Sequence, residues 1–453
     1  MATIKSINPY NGKTLKSYTT HSEKEVVDAL EKAEERFKEW KYVSFEKRKH
    51  LMLKAAEELK KNKKEYAETM TLEMGKPIKQ AIAEVEKCTW VCEYYAQNAE
   101  IHLASEKINT DADKSYINYE PLGVILAIMP WNYPFWQVFR FAAPALMAGN
   151  IAVLKHASNV FGSALNIEKV FERAGFPKHC FTTLLVGSDA VKSIIEHPVV
   201  KAVTLTGSGP AGASVASLAG KNIKKTVLEL GGSNALIVFK DADIDNTIDT
   251  CVQARFQNTG QSCIAGKRLL VDANIAEIFL EKLTTKVKTL KNGNPMDDET
   301  FIGVMAKENL AEELEEQLQN SVKSGADIIL GGNREGTYFE PTIVKNVSPK
   351  MEIFKEETFG PVLSVTTFKT EKEAVELSNT SKFGLGVSLF SKDIKRMEAL
   401  IPQFEEGAVF INELVKSDPR LPFGGIKTSG YGRELSKEGI REFVNVKTVY
   451  IKK

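Results

Sequence analysis

Val124-Ile125-Leu126-Ala127-Ile128-Met129 is an unbroken apolar run. It does not alternate with polar residues, which is the pattern of a strand covered on both faces. Working outward, similar short runs appear at 151–154, 181–186 and 202–206, with helical stretches at 161–174 and 189–197 between them. Short apolar strands alternating with helices build a parallel, doubly wound sheet. Such sheets take ligands beyond the carboxyl ends of their strands. From Asn234 the alternation restarts, with strands expected at 235–239, 267–272, 326–330, 361–368, 387–391 and 408–412. Helices are expected there at 243–257, 274–290 and 306–324. No linker rich in Pro, Gly and Ser separates the two halves, so they are expected to pack closely.

The flanks read differently. Residues 1–20 are extended and turn-rich, with Asn8-Pro9 and Asn11-Gly12 as turn signals. Ser22 and Glu25 form a capping box, and Val26, Leu30, Ala33 and Phe37 follow at helical spacing. Further helices are expected over 45–62 and 77–98. Residues 114–120 and 443–451 alternate as strands.

At 453 residues the chain is long enough for two or three domains. Sixty basic and fifty-nine acidic residues leave a net charge of +1, against a nucleic-acid or membrane-surface footprint. The polar start is unlike a secretory signal, and no apolar run reaches membrane-spanning length. Five dispersed cysteines fit a reducing compartment, so a cytoplasmic protein is expected. Cys88 and Cys92 share a helical face and read as packing. The six histidines form no ligand cluster, and no metal is expected.

Chemistry centres on Gln257-Asn258-Thr259-Gly260-Gln261-Ser262-Cys263. A cysteine among small and amide residues is either inert packing or a nucleophile. A nucleophilic thiol needs an oxyanion stabiliser and a base for later steps. Glu229, between two leucines before Gly231-Gly232, is placed to be a desolvated base or an ordinary strand-end carboxylate. Asn132, after the 124–129 strand, can donate to an oxyanion or close a turn. Lys155 ends another strand. Gly207, Ser208 and Gly212 open a helix whose N-terminus favours a pyrophosphate, though not with the usual dinucleotide fingerprint.

In order and spacing, Pro130-Trp131-Asn132, Lys155, Thr206-Gly207-Ser208, Leu228-Glu229-Leu230-Gly231-Gly232, Gly260-Gln261-Ser262-Cys263, Glu357-Thr358-Phe359-Gly360-Pro361 and Pro422-Phe423-Gly424-Gly425 resemble the aldehyde dehydrogenase superfamily over essentially the whole chain. The resemblance implies an α/β fold with a Rossmann-type cofactor-binding domain (1–113 and 122–228), an α/β catalytic domain (229–435) and oligomerisation strands (114–121 and 436–453). It implies Cys263 as nucleophile, Asn132 with the Cys263 backbone N–H as oxyanion hole, and Glu229 as the base that activates water. Trp131, Leu230, Glu357 and Phe359 would join Lys155, Gly207, Ser208 and Gly212 around the cofactor. A homodimer or homotetramer is implied.

Many NAD-preferring relatives carry a glutamate three residues after the lysine matching Lys155. Ser158 stands there, which removes repulsion against a 2′-phosphate and points to NADP, with NAD less favoured. Arg140 resembles the arginine that holds the distal carboxylate in succinate-semialdehyde dehydrogenases. The chain looks most like their compact, NADP-linked bacterial type. A second arginine of that type is replaced by Gln257, so either Arg255 serves from an adjacent turn or the carboxylate is held differently, with Ser417 and Arg420 as helpers. Lactaldehyde, glutarate semialdehyde or a broad range of small aldehydes is the alternative substrate class.

Overall fold

A computed structural model describes residues 2–453. Val124–Met129 is the hinge of a six-stranded sheet. It pairs in parallel with Ile151–His156 on one side and Val200–Thr206 on the other. Phe181–Thr183 extends the sheet beyond the first neighbour and Lys225–Glu229 beyond the second, both in parallel, and antiparallel Gly430–Tyr431 closes the edge. The chain winds first to one side of Val124–Met129 and then to the other. That reversal opens a crevice at the carboxyl ends of Val124–Met129 and Val200–Thr206, where a doubly wound sheet binds ligands. Asn132 and Gly207 follow these two strands directly.

The second sheet has seven strands, in the order Asp327–Leu330, Thr342–Lys345, Val362–Phe368, Gly266–Asp272, Asn234–Val238, Val387–Phe390 and Val409–Ile411. Only the first pairing is antiparallel. Ala235 and Ile237 enter one apolar cluster, while Leu236 and Val238 enter another on the opposite face. The period of two in the strand explains why the whole run must be apolar.

The first described residues form a hairpin of Thr3–Ile7 with Thr14–Thr19. Lys63–Met74 is a helix that the sequence reading did not separate, because its Lys- and Glu-rich start continues the preceding one. Tyr66, Ala67, Met70 and Met74 bury its inner face, and Gly75 ends it in the left-handed region (φ 78°). Two short helices, Glu371–Asn379 and Ile394–Leu400, were also not anticipated. Of residues 436–453, only Val444–Ile451 is strand. It pairs with Lys114–Pro121, whereas Ser436–Arg441 is a short helix whose Ile440 enters the first core.

Cys88 and Cys92 are fully buried in the helix Ile78–His102. Among the described residues, no helix is long and apolar enough to cross a membrane, and no group of three His, Cys, Asp or Glu side chains is placed to hold a metal ion.

One buried ion pair fixes the helix that faces the site. Trp136–Ala148 has no side-chain cap from its own first turn. Glu84, on Ile78–His102, supplies the acceptor instead. Its Oε1 accepts from the N–H groups of Phe135 and Trp136, both at 2.9 Å, while Oε2 pairs with the fully buried Lys76. A carboxylate at a helix N-terminus meets unpaired N–H groups and the positive end of the helix dipole. Removing it leaves Lys76 buried without an anion. Glu84→Ala is therefore expected to destabilise the fold by about 3–5 kcal/mol, read as a lower chemical-denaturation midpoint than that of Glu86→Ala, an exposed change on the same helix.

Candidate active site

Cys263 lies between two cavities. One, of about 250 Å³, is lined by Trp131, Thr206, Gly207, Leu230, Glu357 and Phe359 among others. The second, of about 320 Å³, is lined by Lys87, Trp136, Arg140, Gln257, Ser417 and Phe423 among others. Cys263 and residues of the Pro130–Tyr133 turn border both. A larger cleft of about 860 Å³ runs under the N-terminal hairpin, but neither Cys263 nor Glu229 borders it.

The loop that presents Cys263 is strained. Asn258 and Thr259 both have φ 54°, and Gly260 follows at φ 72°. A non-glycine residue held there costs about 1–3 kcal/mol and persists only where its surroundings over-determine it. Asn258 Nδ2 donates to Asn132 O at 2.9 Å and to Gln261 O at 3.0 Å. Thr259 Oγ1 accepts from Gly303 N at 3.1 Å, and Gln261 Oε1 accepts from Ala306 N at 2.9 Å. Asn258 thus ties the Asn132 turn to the nucleophile loop, a link with no sequence signature.

Arg255 is the strongest brace, and here the sequence expectation is corrected. Its guanidinium is fully buried and donates to Val362 O at 2.8 Å, Thr358 O at 3.0 Å, Gly260 O at 3.3 Å and Gly360 O. Facing away from both cavities, it cannot meet a substrate carboxylate. A guanidinium must satisfy its donors somewhere when buried, and four carbonyls around the loop do so. Arg420 also lies outside the cavity. It is exposed and doubly bonded to Asp418 at 2.9 and 2.7 Å.

Asn132 is buried, and its Nδ2 donates to Gln261 O at 3.2 Å, which turns the amide toward the nucleophile loop. A second Nδ2 hydrogen is left for an oxyanion. Glu229 is 1% exposed, and neither carboxylate oxygen has a hydrogen-bond partner among the described residues. Burial raises its pKa well above the ordinary carboxylate range. Glu434 adds to the rise, and Arg140 opposes it. Gly424 permits the approach of the neighbouring loop, since a Cβ there would stand 2.7 Å from Glu229 Oε1. Burial also pushes the Cys263 thiol up to about 11, against the pull of Arg140 and then Lys267.

Arg140 is 2% exposed and sits among these groups. It pairs with Glu434, its Nη2 donates to Thr206 Oγ1 at 3.3 Å, and it stacks 4.7 Å from the centroid of Phe423. The sequence reading did not find Glu434. Leu435 beside it is held at φ 63°, ψ 173°, a strained conformation that turns the buried Glu434 inward. Lys267 was also missed, although it stands just after the nucleophile at a strand start. It is fully buried and bonds Glu357 Oε1 at 2.6 Å and Cys263 O at 3.0 Å. Lys87, a further miss, donates to Ser417 Oγ at 2.8 Å.

The first cavity fits a dinucleotide. The helix Gly209–Lys221 starts at Ser208 with no side-chain cap, leaving its first N–H groups for an anion. Gly212 packs so tightly that a Cβ would lie 2.6 Å from the Leu230 side chain. Glu357 is fixed by Lys267 and by Gly232 N at 3.1 Å, and Phe359 meets Trp131 edge-on at 5.7 Å. Lys155 lies near the carboxyl end of the strand Ile151–His156, and Ser158 opens the short turn that follows it. Burial and then the neighbouring Lys307 lower the Lys155 pKa, and among the described residues Lys155 forms no ion pair. Two nearby ammonium groups of this kind suit a phosphate.

A partly buried cysteine between two cavities, an unpartnered buried carboxylate and an aimed amide beside a dinucleotide crevice fit a thiol-dependent aldehyde oxidoreductase. The chain matches the aldehyde dehydrogenase family over residues 1–449 and belongs to it. It is 49% identical over 451 residues to a Synechocystis sp. protein named probable succinate-semialdehyde dehydrogenase, NADP(+), covering 99% of each chain. It is 47% identical over 454 residues to succinate-semialdehyde dehydrogenase, NADP(+), 1 of Mycobacterium tuberculosis, again with 99% of each chain covered. Among solved structures, the Streptococcus pyogenes succinic semialdehyde dehydrogenase in complex with NADP+ superposes with a TM-score of 0.97. It shares 38% identity, covering 99% of this chain and 100% of that one.

Two outcomes test the site. Asn132→Ala is expected to lower kcat for aldehyde oxidation by roughly a hundredfold or more, the loss typical of one oxyanion donor, in steady-state assays. Because the resting thiol is held up to about 11, the iodoacetamide reaction of the ligand-free enzyme should rise about tenfold per pH unit below that value, following the thiolate fraction. Mass spectrometry of the Cys263 peptide reads this. A rate flat between about pH 7 and about pH 9 would mean a resting thiolate.

Proposed function

We propose that this aldehyde dehydrogenase oxidises succinate semialdehyde to succinate with NADP. The observation that carries the reading is the placement of Cys263 between a cavity lined by Arg140, Lys87 and Ser417 and a crevice lined by Gly207, Ser208, Glu357 and Phe359. The activities named for relatives at 47–49% identity support it.

The chain's own residues do the following. Cys263 Sγ attacks the aldehyde carbon, and the thiol proton leaves to Glu229 or to water. Asn132 Nδ2 and the Cys263 N–H hold the resulting oxyanion of the thiohemiacetal. A bound nicotinamide supplies the acceptor for the hydride that leaves this carbon. The thioester left on Cys263 is an easier target for water than the aldehyde was for oxidation. Once its proton has passed to solvent, Glu229 takes a proton from that water and returns it to the departing Cys263 sulfur, and the acid product loses its own proton to solvent as it leaves as a carboxylate. Glu357 and Phe359 would hold the nicotinamide end of the bound cofactor, and Lys155 and Ser158 its adenosine end.

The proposed division of the chain follows the sequence boundaries, with residues 1–113 and 122–228 binding cofactor and 229–435 carrying the nucleophile. The exposed edge strand Val444–Ile451 supports assembly into dimers or tetramers, since an open edge invites a partner. Five free cysteines support a reducing, cytoplasmic setting.

A steady-state panel tests the reading. With NADP, kcat/KM for succinate semialdehyde should exceed that for lactaldehyde and for butanal, and NADP should exceed NAD. Comparable values for all three aldehydes would favour the broad-range alternative. Ser158→Glu places a carboxylate against the 2′-phosphate. It is expected to lower the NADP-to-NAD ratio of kcat/KM by about tenfold or more, as like charges brought together in a partly buried site repel.

A further inference from the structure

Three cationic side chains line the cavity on the substrate side of Cys263, namely Arg140, Lys416 and Lys87. Arg140 is compensated by Glu434, and Lys416 by Glu413 at 2.6 Å. Among the described residues Lys87 forms no ion pair. Its Nζ donates to Ser417 Oγ at 2.8 Å and lies 4.3 Å from the centroid of the Trp136 ring. One of three N–H donors is thereby used, and the others remain.

The local acids are engaged elsewhere. Glu84, one turn earlier on the same helix, is committed to Lys76 and to the N–H groups of Phe135 and Trp136. Asp418, beside Ser417, is held by Arg420. Gln257, where an arginine was looked for, is neutral and accepts from Gln253 at 2.9 Å. A half-buried ammonium without an anion is costly. Burial, and then Arg140, push the Lys87 pKa down to about 8. An anionic ligand in the cavity would relieve that cost, and Ser417 holds the ammonium in place for it.

We propose that Lys87, together with Ser417, binds the substrate carboxylate distal to the aldehyde, and so sets the preference for carboxylate-terminated aldehydes. This rests on the reading of the substrate as a semialdehyde. Arg140, paired with Glu434, lines the same cavity beside them.

Lys87→Met keeps the stem and removes the charge, whereas Lys87→Arg keeps the charge. Both are compared with the full-length wild-type enzyme on succinate semialdehyde and on butanal, and succinate binding is measured by calorimetry. Lys87→Met is expected to raise KM for succinate semialdehyde about tenfold or more, as for a lost charge-assisted hydrogen bond. The loss should fall in KM rather than kcat. The Kd of succinate should rise by a similar factor, and the preference over butanal should fall by at least that much. Lys87→Arg should retain most of that preference. An unchanged preference in Lys87→Met, or an equal loss on both aldehydes, overturns the proposal. If Lys87→Met fails to fold, Ser417→Ala carries the test, with the same KM rising by a smaller factor and an unchanged KM overturning it. A wild-type enzyme without preference for succinate semialdehyde would sink the substrate reading and this proposal with it. A wild-type preference that survives Lys87→Met sinks this proposal alone.

Discussion

A charged group that leaves water must be met by an opposite charge or by fixed dipoles, and the interior between the two sheets is arranged around that requirement. Arg255 spends its guanidinium on backbone carbonyls, and in doing so clamps the loop that carries Cys263. Lys76 and Glu84 pair fully buried, and the remaining acceptor capacity of Glu84 fixes the start of the helix that bears Arg140. Lys267 binds Glu357 and the carbonyl of Cys263 together. Each buried charge that is compensated from within the chain acts as a brace. Lys87, which forms no ion pair among the described residues, lines one of the two cavities beside Cys263, and Glu229 stays buried with neither carboxylate oxygen hydrogen-bonded.

This distribution has a chemical consequence. Burial raises both Glu229 and Cys263, so the ligand-free site holds a thiol and a carboxyl group of low acidity. Arg140 pulls both toward their charged forms, and Glu434 limits how far it can do so for Glu229. The proton balance of the site is therefore set by two groups, Arg140 and Glu434, that come from a helix after the first sheet strand and from a loop near the carboxyl end. The strained backbone at Asn258, Thr259 and Leu435 belongs to the same design. Strain is tolerated where several independent hydrogen bonds fix one geometry, and here that geometry points side chains into the site.

Much of the fold was legible because its strands are buried on both faces. Val124–Met129 and its neighbours are continuous apolar runs with polar or glycine-rich ends, and these delimit them without reference to the rest of the chain. Lys63–Met74 was not separated, because the boundary at Asn62 carries no proline or glycine and the charge pattern continues across it. Cys263, Glu229 and Asn132 could be singled out because each stands at a strand or loop end in an unusual local context. Arg255 was misjudged for the opposite reason. Its local context resembles that of a cavity residue, and only the packing of Val362 and Thr358 against it reveals a brace.

The sequence by itself determined the parallel-sheet architecture, the crevice after Val124–Met129, the candidate residues Cys263, Glu229 and Asn132, and the serine in place of an acid at position 158. These follow from local patterning and from motif order. The tertiary structure alone decided which charges are paired. Glu434 reaches Arg140 across almost three hundred residues, and Lys87 reaches Ser417 across more than three hundred. Charge pairing depends on distance and burial, neither of which is encoded within a few residues of the group concerned. For that reason the same letter, arginine or lysine, reads as brace at 255, as tuned partner at 140 and as open anion site at 87 only once the chain is folded.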